Sequence, residues 1–315
     1  MAAPDKLVIV TRNTALEALV ERFNTRDQAR FYIEHMGARF DDYQLAHDAY
    51  HHAIAFLRTA IPRGIRTQWI ERSLLPTFTF GPLDVVVVLG QDGLVVNAAK
   101  YLNGQPVVAL NPDPARIDGL LLSFAYSDAA EAIALAIDQN VRKYCREVTM
   151  AKASLSDGQT MLAVNDLFIG QKTHVSARYT IRHGDREEDQ ASSGIIVSTG
   201  AGSTGWYRSI LTGAAAVVES LTSNREIGAF RDRYRFDWEA RHLVFCVREP
   251  FVSKTSSASI VFGTIDEKLS LIVSSSMPQN GVIFSDGVEE DHLDFNSGAV
   301  ATIGLDERTL RLVVA

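Results

Sequence analysis

Asp84-Val85-Val86-Val87-Val88-Leu89-Gly90-Gln91-Asp92-Gly93 is the stretch that decides the fold. An unbroken β-branched run of this kind is the pattern of a strand buried on both faces of a parallel sheet. The four residues from Gly90 to Gly93 close the strand, and apolar spacing predicts a helix from about Leu94 to Leu102. Upstream, Leu7-Val8-Ile9-Val10 reads as a second short strand. It is followed by a helix in which Thr14 is the N-cap, Glu17 completes a capping box, and Leu16, Leu19, Val20 and Phe23 share a face. A longer helix is expected over about 42 to 60, and Pro106 to Leu110 is the next strand. Alternation of this kind defines an open, mostly parallel α/β domain, with ligands expected at the carboxyl ends of its strands.

After about residue 145 the segments become short and β-rich. Strands are expected at Met161 to Ile169, Val175 to Arg182, Gly194 to Ser198, Leu243 to Val247, Ser259 to Phe262 and Leu269 to Val273. A helix is expected from Trp206 to about Val218, and residues 183 to 192 read as a polar hairpin tip.

Of the 315 residues, 46% are hydrophobic and 22% charged, which excludes a disordered chain. Lys and Arg number 31 against 38 Asp and Glu, a net charge of −7. That balance argues against a nucleic-acid partner held by phosphate contacts along the chain, but leaves room for a small anionic ligand. No run approaches the ~18 apolar residues of a membrane span. Cys145 and Cys246 are the only cysteines, so neither a disulfide framework nor a four-cysteine metal site is possible. Two free thiols and a cytoplasmic location are expected.

Four motifs carry chemistry. In Gly90-Gln91-Asp92-Gly93, a carboxylate stands at a strand end beside a helix N-terminus; the alternative is an ordinary turn. The stretch Thr199-Gly200-Ala201-Gly202-Ser203-Thr204-Gly205-Trp206 contains a G-x-G-x-x-G. A dinucleotide fingerprint belongs inside a βαβ unit, however, and this one lies in the β-rich half, so it reads as a polar ligand loop. Asn165-Asp166 places polar residues inside an apolar run, as a ligand contact or as a break in the strand. Asp286-Gly287 reads as a hairpin turn. His47, His51 and His52 lack a metal-ligating motif and read as a solvated helix face, so no metal ligands are assigned.

In this order the motifs resemble the NAD kinase family, most of all its mitochondrial-type branch. The family's G-G-D-G turn, N-[ED] pair and T-x-T-G-S-x-[AG]-[YW] loop correspond to Gly90–Gly93, Asn165-Asp166 and Thr199–Trp206. Asn111-Pro112-Asp113-Pro114 with Gly119, Ser192-Ser193-Gly194, Arg248-Glu249-Pro250 and Asp286-Gly287 extend the match. The resemblance implies an α/β nucleotide-binding domain over 1–145, with 305–315 returning to it, and a β-rich dinucleotide-binding domain over 146–304. It implies phosphoryl transfer from ATP, or from polyphosphate, to the 2′-hydroxyl of NAD, assisted by Mg²⁺, in a homodimer or homotetramer. Asp92 would be the base, and Gly90, Gln91 and Gly93 would lie at the phosphates. Asn165, Asp166, Ser203, Thr204, Gly205, Trp206 and Ser209 would line the dinucleotide. Gln91 and Leu94 depart from the pattern where phosphates pack, which keeps two alternatives open: a nucleotide-binding member with weakened catalysis, and a kinase of another alcohol such as a sugar or lipid.

Overall fold

Val85 to Leu89 is a strand with every residue buried, and the first half of the protein is built around it. The computed structural model describes residues 4–222 and 234–314. It divides into two units, Met1–Arg146 with Leu310–Ala315, and Glu147–Thr309.

The first unit comprises β1 (Leu7–Thr11), α1 (Ala15–Phe23), α2 (Arg26–His35), α3 (Phe40–Ala60), β2 (Thr67–Glu71), β3 (Val85–Leu89), α4 (Asp92–Ala99), β4 (Pro106–Asn111), β5 (Phe124–Ala125) and α5 (Ala129–Ile137). Strands β2, β1, β3 and β4 pair in parallel, in that order. Arg311 and Leu312, near the end of the chain, pair in parallel with Pro106 and Val107. Leu7, Ile9, Val87, Leu89 and Val108 form the core with Leu57 of α3 and Ile133 of α5. The capping box at α1 is complete: Thr14 Oγ1 accepts from the Glu17 amide, and Glu17 Oε2 accepts from the Thr14 amide at 2.7 Å. One reading changes, and one helix is present that the sequence pattern does not show. Helix α4 begins at Asp92 rather than Leu94, so the carboxylate lies in its first turn. Helix α2 buries only Ala29 and Ile33, too few apolar residues to leave a stripe in the sequence.

The chain continues with β6 (Cys145–Leu155), β7 (Thr160–Ala163), β8 (Asp166–Gln171), β9 (Ala177–His183), β10 (Arg186–Ser192), β11 (Ile195–Ser198), α6 (Trp206–Thr222), β12 (His242–Val247), β13 (Phe262–Asp266), β14 (Leu271–Ser275), β15 (Gly281–Ser285), β16 (Val288–Asp294) and β17 (Val300–Val313). All lie in the second unit except the first residues of β6, up to Arg146, and the last of β17, from Leu310. One antiparallel sheet has the order β13-β12-β11-β8-β15-β16. Its four central strands carry apolar residues on both faces. Leu167, Ile169, Ile195, Val197, Phe245 and Ile283 join a large core with Tyr179, Ile181, Leu271, Val273 and Ile303. Phe168, Ile196, Val282 and Phe284 face the other way, against Trp206 and Ile210 of α6.

Three expectations fail here. The run from Met161 to Ile169 is two strands, β7 and β8, because the polar pair Asn165-Asp166 breaks the ladder between them. The polar stretch from 183 to 192 is mostly strand β10, paired residue by residue with β9 from Arg186↔His183 to Ser192↔Ala177. Its first half is largely exposed, and its buried positions are the polar Gln190 and Ser192, which hydrogen-bond the Tyr179 hydroxyl, so the apolar alternation is missing. The strand expected at Ser259 begins only at Phe262. Neither cysteine forms a disulfide. No helix among the described residues is long and apolar enough to cross a membrane.

Candidate active site

The chemistry-bearing residues form one cluster in each unit. In the first, the carboxylate of Asp92 accepts two backbone hydrogen bonds, from Leu120 to Oδ2 at 2.9 Å and from Leu121 to Oδ1 at 3.0 Å. The loop that presents these amides is shaped by Asn111. Its Oδ1 accepts from the Asp113 amide at 3.0 Å, and its Nδ2 donates to the Ile117 carbonyl at 2.8 Å. The N-x-D-P…G segment therefore works through Asp92: it folds the loop that holds the carboxylate. Burial pushes the Asp92 carboxyl above its ordinary range, opposed by the two amides. A carboxylate with raised proton affinity and a fixed orientation is suited to accepting a proton.

Gln91 has φ −93° and ψ 168°, an extended conformation open to any residue. A glycine is not needed there for backbone reasons. Its side chain lines a cavity of about 390 Å³ with Arg12, Tyr43, Tyr50, Asp113 and Arg116. Gly93 faces open space, with nothing within 4 Å of the position a Cβ would take. Gly90 instead lies against Leu94, whose Cδ2 would be 2.7 Å from an added Cβ. Leu94 is 3% exposed and is a core residue, so its departure from the family pattern alters packing rather than a polar surface.

In the second unit, Asn165 and Asp166 stand at the turn between β7 and β8, bracketed from two sides. The Asp286 carboxylate accepts from the amides of Asn165 (2.7 Å), Asp166 (3.3 Å) and Val164 (3.3 Å). Asp286 and Gly287 have φ 55° and 72°, the left-handed pair of a two-residue hairpin turn between β15 and β16. The expected turn is there, but nothing in its local sequence signals that its carboxylate reaches across to the Asn165 turn. On the other side, the Thr199 amide donates to the Asn165 carbonyl at 2.9 Å and the Thr199 hydroxyl donates to the Val164 carbonyl.

Gly202 packs so closely that an added Cβ would lie 2.2 Å from the Asn165 carbonyl oxygen and 2.8 Å from Asp166 Oδ1. At Gly200 the obstruction is the Asp237 carbonyl oxygen, at 2.0 Å. These two glycines serve close packing. The preceding strand, β11, is antiparallel to both its neighbours, β8 and β12, so the loop lacks the parallel βαβ setting of a dehydrogenase fingerprint. Asp166 Oδ1 is buried with no hydrogen-bond partner among the described residues. Burial, with the negative charge of Asp286 behind it, raises the Asp166 carboxyl to about 7 against the pull of the Ser198 hydroxyl.

The loop residues differ in what they offer. Ser203 is fully buried and donates its hydroxyl to the Gly200 carbonyl at 2.7 Å, so it braces the loop from inside. Thr204 is partly exposed, whereas Gly205 and Ser209 are exposed. Trp206 stacks on Phe168, with centroids 5.7 Å apart and planes 6° apart, and the Arg248 guanidinium lies 5.2 Å over the indole. These three side chains, with Ser193 and Glu249, line a cavity of about 570 Å³. Two stretches noted only as family motifs, Ser192–Gly194 and Arg248–Pro250, thus meet Trp206 at one cavity.

Two solved structures share this fold. Yeast NADH kinase complexed with NADH matches with a TM-score of 0.58 at 14% identity, over 100% of this chain and 84% of that one. An NAD kinase from Archaeoglobus fulgidus in complex with ATP matches with a TM-score of 0.55 at 14% identity, over 98% and 93%. The fold is thus that of the NAD kinases. No family model matches the sequence. Among curated proteins, NAD kinase 2, mitochondrial, of Homo sapiens is 24% identical over 81% of this chain and 73% of its own length. The Rattus norvegicus protein of the same name is 23% identical over 81% and 76%. The findings support the NAD kinase family for this chain. They overturn the expected cytoplasmic location, because these relatives are mitochondrial proteins by name.

Proposed function

We propose that this protein transfers the γ-phosphoryl group of ATP to the 2′-hydroxyl of NAD or NADH, giving the 2′-phosphorylated dinucleotide and ADP. The geometry of Asp92 carries this reading: an oriented carboxylate with raised proton affinity in the first turn of α4. A sugar hydroxyl is a poor nucleophile. Asp92 accepts its proton as the 2′-oxygen bonds to the γ-phosphorus and the bond to the bridging oxygen of ADP breaks. Nothing crowds the position a Cβ would take at Gly93, and the N-terminus of α4 favours negative charge there.

Asn165 and Asp166, fixed by Asp286 and Thr199, hydrogen-bond the dinucleotide. The partnerless Asp166 Oδ1 is the group that most needs a hydroxyl donor. Thr204, Gly205, Trp206 and Ser209 continue that surface, with Trp206 offering a flat face braced by Phe168. Mg²⁺ favours oxygen ligands from one or two carboxylates and the substrate phosphates. The α4 turn offers one carboxylate, Asp92, whose two oxygens already accept amides. That fits an ion brought in on the nucleotide's phosphates, where it supplies charge neutralisation during transfer. A homo-oligomeric state is part of the proposal, measured by light scattering.

The test is incubation of the protein with Mg²⁺, ATP and either NAD or NADH, followed by chromatography for the 2′-phosphorylated product. Polyphosphate as donor and a sugar panel as acceptors run alongside. Product from neither dinucleotide with either donor overturns the proposal.

A further inference from the structure

The histidines of α3 read as a solvated face in the sequence, but the fold brings a carboxylate to them from another helix. One ring nitrogen of His47, one of His51 and one oxygen of Glu17 lie within 4.8 Å of one another. The two histidines are one helical turn apart and their ring centroids are only 4.3 Å apart. We infer that Glu17 of α1 with His47 and His51 of α3 bind a zinc-type transition-metal ion that fastens the two helices together.

Two imidazoles and a carboxylate are a donor set suited to Zn²⁺, whose ligands are nitrogen, sulfur and oxygen at ~2.0–2.3 Å. Mg²⁺ and Ca²⁺ favour all-oxygen sets, so the site is chemically distinct from any ion carried by a nucleotide. Two of the three ligands, Glu17 and His47, are already oriented from behind. Glu17 Oε2 is held by the Thr14 amide at 2.7 Å, leaving Oε1, which lies 2.9 Å from His51 Nε2, to face the imidazoles. His47 Nδ1 lies 2.9 Å from Thr14 Oγ1, which leaves Nε2 for the ion and supplies the outer hydrogen bond typical of metal-bound imidazole. The 2.9 Å contact between Glu17 and His51 gives way to a bridging ion, any proton on the imidazole passing to solvent. With three protein ligands, the fourth position goes to water.

The test uses tag-free protein without nucleotide, titrated with Zn²⁺ alone by calorimetry, and with Co²⁺ followed by visible absorption. One saturable site is expected, with a rise in Tm on Zn²⁺ that roughly a hundredfold excess of Mg²⁺ does not reproduce. His51→Gln and His47→Asn each weaken Zn²⁺ binding by at least the ~10–100-fold typical of losing an outer-shell partner. His52→Gln, on the same helix but packed on Tyr126, leaves binding unchanged. Metal-free Tm values within a few degrees of the parent show that the variants are folded. His51 is half-exposed and its substitution is the safer of the two. Equal Zn²⁺ affinity in His51→Gln and the parent, or no saturable binding by the parent, overturns the inference.

Discussion

The carboxylate of Asp286 accepts a hydrogen bond from the Asn165 amide at 2.7 Å across 121 residues of sequence, and so ties a hairpin turn to the polar break between β7 and β8. It also accepts from Val164 and Asp166. One side chain thereby fixes the conformation of a candidate dinucleotide contact that it does not itself form.

Asp286→Ala removes the acceptor for all three amides. Each buried donor left unpaired costs about 1–3 kcal/mol, reduced where water reaches the turn. A clear fall in Tm and weaker NAD binding by calorimetry are expected together. Unchanged NAD affinity in a destabilised variant would show that the Asn165 turn does not bind the dinucleotide.

Asp92→Asn is expected to lower turnover by about 10² to 10⁴-fold, the usual contribution of a general base. The base works only when deprotonated, so the rate of the parent rises with pH along an acid limb. Because burial raises the Asp92 carboxyl, that limb lies above the ordinary carboxylate range. A pH profile of kcat/KM measures it, and the limb is absent in the variant.

Asp166 gives stability the opposite dependence on pH. Its folded-state value, about 7, lies above the 3.8 of an ordinary aspartate. Between those values the folded state holds more protons than the unfolded state, so this group's contribution to stability falls as pH rises through the window and levels off above it. Asp166→Asn removes the dependence. The Tm difference, variant minus parent, therefore grows as pH rises from the ordinary aspartate range to neutrality. It corresponds to a few kcal/mol at most, since each tenfold change in proton affinity is worth about 1.4 kcal/mol.

Gly202→Ala and Gly93→Ala separate packing from ligand contact. The methyl at 202 meets the Asn165 carbonyl oxygen at 2.2 Å, whereas at 93 it meets nothing within 4 Å. Forcing a group into a packed site costs about 1–3 kcal/mol. Thermal melts are expected to show a loss for Gly202→Ala and little change for Gly93→Ala. Any effect of Gly93→Ala belongs in the KM for ATP.

Gln91→Gly is expected to leave kcat within about threefold of the parent, a difference of ~0.7 kcal/mol, because the extended backbone there accepts either residue. Steady-state kinetics with ATP and polyphosphate check this. A change of about tenfold in either direction, ~1.4 kcal/mol, would mean that the glutamine side chain touches the donor.

Local pattern was enough to read the parallel strands β3 and β4, the capping box at Thr14 and the helix after the 199–205 loop, because burial on both faces, helical spacing and short-range hydrogen bonds leave their marks within a few residues. Strand β10 was hidden because its pairing with β9 rests on backbone hydrogen bonds and needs no apolar side chains. Asn165-Asp166 and Asp286-Gly287 were visible as motifs, but only the tertiary fold makes one hold the other. The same holds for Asn111, which shapes the loop that fixes Asp92, and for Glu17, which meets His47 and His51 from another helix. The sequence by itself determined which residues carry charge, turn chemistry and apolar periodicity. The tertiary structure decided their partners and their proton affinities, since hydrogen bonds between residues far apart in the chain, and the burial that raises Asp92 and Asp166, exist only once the chain has closed on itself.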